Sequence, residues 1–117
     1  RKPAPRCIMN KIVRVAIDDI LFDPEEISEM LTECLRRHRK MRLAGACGLR
    51  DVLIVSFEET SVRQDSRLVL APFRGPGPDE ISSEITQRYE RGFSLRSSFR
   101  AGDRVWALFE VPAEPED

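Results

Sequence analysis

The sequence predicts an α+β fold, a two-layer sandwich of two helices on one face of a mainly antiparallel sheet. The first observation behind this prediction is a pair of similar segments, 24–32 and 78–86, each of which opens with proline followed by two acidic residues. The second is that an apolar run ending in Phe-Glu follows each segment, at 57–58 and at 109–110. Similar segments indicate an internal repeat, and we therefore interpret each half as one βαββ unit.

Length and composition fit one domain. The chain has 117 residues, of which 41% are apolar and 33% charged, and its formal net charge is −1. We expect a leader or linker at 1–10, a single domain at 11–111 and an acidic tail at 112–117. The domain contains the repeats 11–58 and 67–111, joined by a polar linker. A ferredoxin-like core is the alternative architecture, because β-α-β-β-α-β is contained in the string of elements.

The first half begins with a β-branched strand at 11–17. Asp23 is then predicted to cap a helix that starts at Pro24, and Glu26 completes a capping-box pattern. Two strands follow at 41–47 and 52–58, joined by a turn at 48–51. One continuous apolar helix face is formed by Ile27, Met30, Leu31, Cys34 and Leu35.

The second half repeats this order. A strand at 67–73 leads through the turn at 75–78 into a helix that Gly92 ends. A hairpin of strands at 93–99 and 104–111 follows. The helix carries a narrower apolar stripe of Ile81, Ile85 and Tyr89.

Each half, especially 67–112, resembles the small bacterial βαββ domains of unknown function. The resemblance rests on the helix stripe, the Gly92-Phe93 junction, the Gly102-Asp103 turn and the strand from Trp106 to Phe109. The first half departs from it, since Lys40-Met41 stands where the Gly-aromatic pair would be. The resemblance implies a fold and brings no catalytic residues.

The chemistry-bearing residues do not form a recognisable catalytic or metal motif. Cys7, Cys34 and Cys47 are odd in number and lack metal-ligand spacing, which favours a reducing, cytoplasmic environment. His38 is the single histidine. We predict neither a cofactor nor a metal site, and the sequence does not favour an enzyme. No apolar run approaches the roughly 20 residues that span a bilayer, so we expect no membrane partner.

Basic residues form two candidate anion-binding groups. One lies at the end of the first helix, where the alternative is a solvated helix end whose cations stabilise the helix dipole. The other follows from alternation in the hairpin, which places Ser94, Arg96, Ser98 and Arg100 on one face. The complete set of possible anion-binding residues is Arg36, Arg37, Arg39, Lys40, Arg96, Arg100 and Arg104.

The last strand of each half is apolar on both faces, although a two-layer sandwich covers only one. Something else must therefore cover Ile54, Trp106 and Leu108, which we predict to form a partner interface. The alternative is that the leader or the linker folds over them. The leading hypothesis is a non-catalytic interaction or regulatory domain that self-associates, as a homodimer for example, or docks a protein partner. The second is a small-ligand or nucleic-acid binding module that uses the Arg-rich sheet face and helix end, although the near-neutral charge disfavours a dedicated nucleic-acid binder.

Overall fold

The α+β fold predicted from the sequence is confirmed. The computed structural model describes residues 10–36, 40–62 and 65–112. The predicted leader and acidic tail therefore lie almost entirely outside the described residues. In chain order the elements are β1 Asn10–Ala16, α1 Ile17–Phe22, α2 Pro24–Arg36, β2 Met41–Gly48, β3 Val52–Glu59, β4 Ser66–Pro72, α3 Pro78–Glu90, β5 Ser94–Ala101 and β6 Arg104–Pro112.

The strands are divided between two antiparallel sheets, one in each half. Sheet A has the order β1-β3-β2, and sheet B has the order β4-β6-β5. In both halves the pairing with the central strand shifts by one residue at the same place. The shift comes after Leu43 in β2 and after Leu95 in β5. Ala44 and Arg96 are thus the extra residues of two β-bulges at corresponding positions.

The register fixes which positions of the two halves correspond. Lys11 faces Phe57 in sheet A, as Val69 faces Phe109 in sheet B. Directly opposed residues of antiparallel strands share one face, and successive residues alternate between faces. Ile12 therefore corresponds to Leu70, and Ile54 to Trp106.

Helix α2 begins as predicted. Asp23 Oδ1 accepts a hydrogen bond from the Glu26 backbone N–H at 3.1 Å, and Pro24 is the first helical residue. In a full capping box Glu26 would accept the Asp23 N–H, but that group instead donates to the Asp19 carbonyl at 3.0 Å. It does so because the short helix α1, which the sequence interpretation left out, ends directly before α2. Ile17 and Ile20 bury the inner side of α1.

Helix α3 ends in the manner predicted for Gly92. This residue has a φ of +93°, a conformation that glycine adopts without strain. Its N–H donates to the Tyr89 carbonyl, and the Phe93 N–H donates to the Arg88 carbonyl. These two bonds define a Schellman motif, which satisfies the last carbonyls of the helix.

Two apolar cores result from this arrangement. The larger one is shared by both halves, since it contains Leu31 and Leu53 of the first half together with Trp106 and Leu108 of the second. The smaller one lies between α3 and the opposite face of sheet B, around Phe109. Sheet B is thus covered on both faces, whereas the shared core covers one face of sheet A.

Candidate functional site

The three residues predicted to form a partner interface separate in the structure. Trp106 and Leu108 are 5% and 0% exposed, and both lie in the core that the two halves share. Trp106 stacks on Phe99 with a ring separation of 6.4 Å. The first half of the same chain therefore covers them. Ile54 lies on the other face of sheet A and is half-buried.

The outer face of sheet A, opposite the shared core, carries apolar side chains that the described residues do not bury in a core. Its centre is a row of three opposed residues, Arg14 on β1, Ile54 on β3 and Cys47 on β2. Ile12 is 51% exposed and Cys47 is exposed, while Val52 is half-buried. None of Ile12, Val52 and Ile54 belongs to either core formed by the described residues. This face therefore offers aliphatic side chains to solvent beside the cation of Arg14.

Within the chain, α2 bonds to β4, the outer strand of sheet B. The sequence did not lead us to expect this contact. Ser28 Oγ accepts a hydrogen bond from the Leu70 N–H at 2.9 Å, and Thr32 Oγ1 accepts one from the Leu68 N–H at 2.9 Å. Arg36 adds a bond to the Ser66 carbonyl at 3.1 Å. These side chains lie four residues apart on one helix face and satisfy edge groups that another strand would otherwise pair. The sequence signal was present, because a serine and a threonine with this spacing occur in both of the similar segments.

The predicted basic stripe on β5 does not lie on one face. The bulge at Arg96 breaks the alternation, so that Ser94 is opposite Glu110 while Arg100 is opposite Val105. Residues 105 and 110 lie on opposite faces of β6, because an odd number of residues separates them. Strict alternation was therefore the wrong pattern for this strand, and Arg96 and Arg100 do not form a common stripe.

Carboxylates neutralise part of the predicted anion-binding set. Arg96 Nε lies 2.8 Å from Glu110 Oε1, and Arg42, beside the first-half cluster, is paired with Glu58. Lys40, Arg100 and Arg104 are exposed. Arg37 and Arg39 lie outside the described residues, so their predicted role stays a prediction. The described part of the helix-end cluster is thus reduced to Lys40 and to Arg36, which donates to the Ser66 carbonyl.

The cysteines differ in accessibility. Cys34 is 8% exposed within the shared core, as expected for a small apolar residue on the buried helix face. Cys47 is a free thiol on the outer face of sheet A. Among the described residues, no group of three or more His, Cys, Asp or Glu side chains is placed to hold a metal ion. None of the described helices has the length and apolar character needed to cross a bilayer.

A groove follows the joint between α2 and β4. It has a volume of about 810 Å³, and Ser28 and Thr32 form part of its floor. Carboxylates of α2 dominate its rim, with Arg36 and Arg67 at one end. An acidic rim of this kind does not favour a phosphate or another anion.

Comparisons with known proteins add no functional assignment. No protein-family model matches the chain, and neither a curated protein nor a solved structure shows significant similarity to it. The resemblance of each half to small bacterial βαββ domains therefore stays a prediction, and the candidate site rests on the geometry described above.

Proposed function

We propose that this protein is a non-catalytic interaction or regulatory domain that binds a protein through the outer face of sheet A. The observation that carries the proposal is the contrast between corresponding positions of the two sheets. Leu70 and Trp106 are each 5% exposed under the first half, whereas Ile12 is 51% exposed and Ile54 has only partial cover. Exposed aliphatic groups that lie together on a rigid sheet are typical of an interaction surface.

The proposal also includes an internal repeat and a location in a reducing compartment. We infer that the halves are two copies of one βαββ unit, because they share strand order, register and bulge position. A reducing compartment such as the cytoplasm is consistent with the free thiols of Cys34 and Cys47. Binding of an anionic ligand receives less support, because carboxylates already pair with Arg42 and Arg96.

Cys47 is a natural reporter for this proposal. Tryptic cleavage after Arg42 and Arg50 releases a peptide whose only cysteine is Cys47. The extent of alkylation at this thiol can therefore be followed by mass spectrometry, with buried Cys34 as an internal reference. We expect alkylation of Cys47 to slow as the protein is concentrated or when extract from its own cells is added.

The matched control is Ile54→Lys, which places a charge directly beside Cys47 in the sheet. In this variant the rate of Cys47 alkylation should no longer depend on protein concentration or on added extract. The reactivity of Cys34 should stay unchanged. Its Trp106 emission should match that of the wild type, because residue 54 lies outside the shared core. If Cys47 reacts at the same rate at every concentration and in the extract, the outer face of sheet A is not an interface and the proposal fails.

A further inference from the structure

Helix α3 carries the same two hydroxyl residues with which α2 bonds to β4, but on α3 they bond to no strand among the described residues. Ser82 and Thr86 occupy the positions on α3 that Ser28 and Thr32 occupy on α2, counted from the first proline of each helix. Thr86 Oγ1 donates to the Ser82 carbonyl at 3.1 Å, and both side chains are exposed. The hydroxyls of α3 therefore face solvent, whereas those of α2 bond to a strand edge.

The apolar residue beside this hydroxyl row shows the same contrast. Leu35 of α2 is 1% exposed in the shared core, and Tyr89, its counterpart on α3, is 69% exposed. Both lie three residues after the threonine, on the neighbouring part of the helix face. Helix α3 thus presents a hydroxyl row with a large apolar side chain next to it.

The strand that corresponds to β4 is β1, an outer strand of sheet A. Leu68 and Leu70 turn their N–H groups away from β6 towards α2. By register, Asn10 and Ile12 are their counterparts in β1. Backbone groups of successive residues point to opposite sides of a strand. The Ile17 N–H donates to the Asp51 carbonyl on the β3 side, so the N–H groups of Asn10 and Ile12, at odd separations from Ile17, point away from β3. No strand among the described residues pairs with this edge.

We propose that α3 of one copy of this chain packs against the β1 edge of a second copy, as α2 packs against β4 within the chain. Ser82 would then accept from the Ile12 N–H and Thr86 from the Asn10 N–H, with Tyr89 covering the adjoining apolar face. This inference rests on the proposed function, because the contact covers the outer face of sheet A. The two surfaces differ, so the contact is head-to-tail and either closes into a ring or continues as a filament.

The charges of α3 and β1 are complementary and favour this contact between two copies of the chain. Helix α3 exposes Asp79, Glu80 and Glu90, while β1 exposes Lys11 and Arg14. An acidic helix and a basic strand edge attract each other and are held in register. Direct pairing of two β1 strands would bring their cations together, and basic residues on an edge strand oppose that kind of association.

The decisive experiment combines light scattering with two blocked variants. The wild type should show a molar mass above that of one chain, rising with concentration. Thr86→Arg blocks the helix surface and Ile12→Arg blocks the strand edge, so each variant alone should remain a monomer. Mixed together, they should form a dimer that grows no further, because only one intact helix surface and one intact edge remain in the pair.

A control variant and the contrary outcomes complete the test. Asp103→Arg adds a comparable side chain in the exposed β5–β6 turn and should associate like the wild type. Wild-type protein that is monomeric at all concentrations overturns the inference. Blocked variants that stay monomeric on mixing also overturn it, as does a Thr86→Arg variant that associates normally.

These outcomes are distinct from failure of the proposed function. A monomer whose Cys47 is protected by extract retains the interaction face and refutes only the head-to-tail contact. Association abolished by Ile12→Arg but unaffected by Thr86→Arg indicates that two sheet A faces meet, which again refutes the inference alone. If wild-type Cys47 is alkylated at the same rate at every protein concentration and in extract, both the proposed function and the head-to-tail contact are refuted.

Discussion

Helices α2 and α3 carry the same pair of hydroxyl residues in different surroundings. On α2, Ser28 and Thr32 are partly buried and bond to the backbone of β4. On α3, Ser82 and Thr86 are exposed. Sequence at this local level determines that a helix forms and which face carries the hydroxyls. What those hydroxyls contribute depends on whether the rest of the chain brings a strand edge opposite them.

The largest effect of a single substitution is expected at the apolar residue at the centre of each helix. Leu31 is 0% exposed in the shared core, and its counterpart Ile85 is half-buried beside sheet B. Leu31→Ala should lower the free energy of unfolding by about 3 kcal/mol, and Ile85→Ala by about 1.5 kcal/mol, because the second leaves a smaller cavity. Urea unfolding monitored by the fluorescence of Trp106 measures both values. Equal losses would show that α3 is as deeply integrated as α2.

The hydroxyl pairs provide the next test. Replacing Ser28 and Thr32 together with alanine leaves the N–H groups of Leu68 and Leu70 without these acceptors, and we expect a loss of about 2–4 kcal/mol. The matched double change at Ser82 and Thr86 should lie within about 0.5 kcal/mol of the wild type, because exposed substitutions have small effects.

Both double variants should be compared by urea unfolding at a low protein concentration, where association does not contribute to stability. Similar losses for the two pairs would contradict the view that only α2 closes an edge.

The smallest expected difference concerns two ion pairs whose glutamates lie at corresponding places in the sheets. Glu110 accepts from Arg96 at 2.8 Å and from the Ser66 hydroxyl at 2.6 Å, and its side chain is 15% exposed. Glu58 pairs with Arg42, and its side chain is 32% exposed. Glu110→Gln should lower the free energy of unfolding by about 1 kcal/mol, and Glu58→Gln by less than about 0.5 kcal/mol.

Added salt distinguishes the two pairs further. The effect of Glu58→Gln should vanish at high ionic strength, since screening already weakens that exposed pair. Part of the effect of Glu110→Gln should persist, because its hydrogen bond with Ser66 is largely shielded from solvent. Equal salt dependence in urea unfolding would place both pairs in the same electrostatic environment.

Local signals in the sequence predicted most elements correctly. The cap at Asp23, the start at Pro24 and the helix end at Gly92 depend on residues within one or two turns of each other, so a short window contains the whole interaction. The bulge at Arg96 was not predicted, because alternation assigns faces only as long as every residue pairs with one partner.

Long-range packing accounts for what the sequence left open at the candidate site. The two-sided apolar pattern of β6 correctly indicated that a second layer must cover Trp106, but not which layer. The cover is the first half of the same chain, and it depends on contacts between residues far apart in sequence, such as Thr32 with Leu68. Strand β3 is also apolar on both faces, but none of the described residues buries Ile54 in a core. This difference between the halves depends on tertiary packing, so the sequence pattern alone does not contain it.

Gly48 has a consequence beyond the geometry of one turn. The last residue of β2 lies so close to β5 that a Cβ placed on it would be 2.5 Å from the Cβ of Phe99. That atom is fixed to the backbone and cannot turn aside as the end of a long side chain could. A side chain at position 48 therefore has to move β2 and β5 apart, and it displaces the Phe99 ring that stacks on Trp106. Position 48 is therefore restricted to glycine as long as residue 99 carries a Cβ, whichever side chain follows that atom.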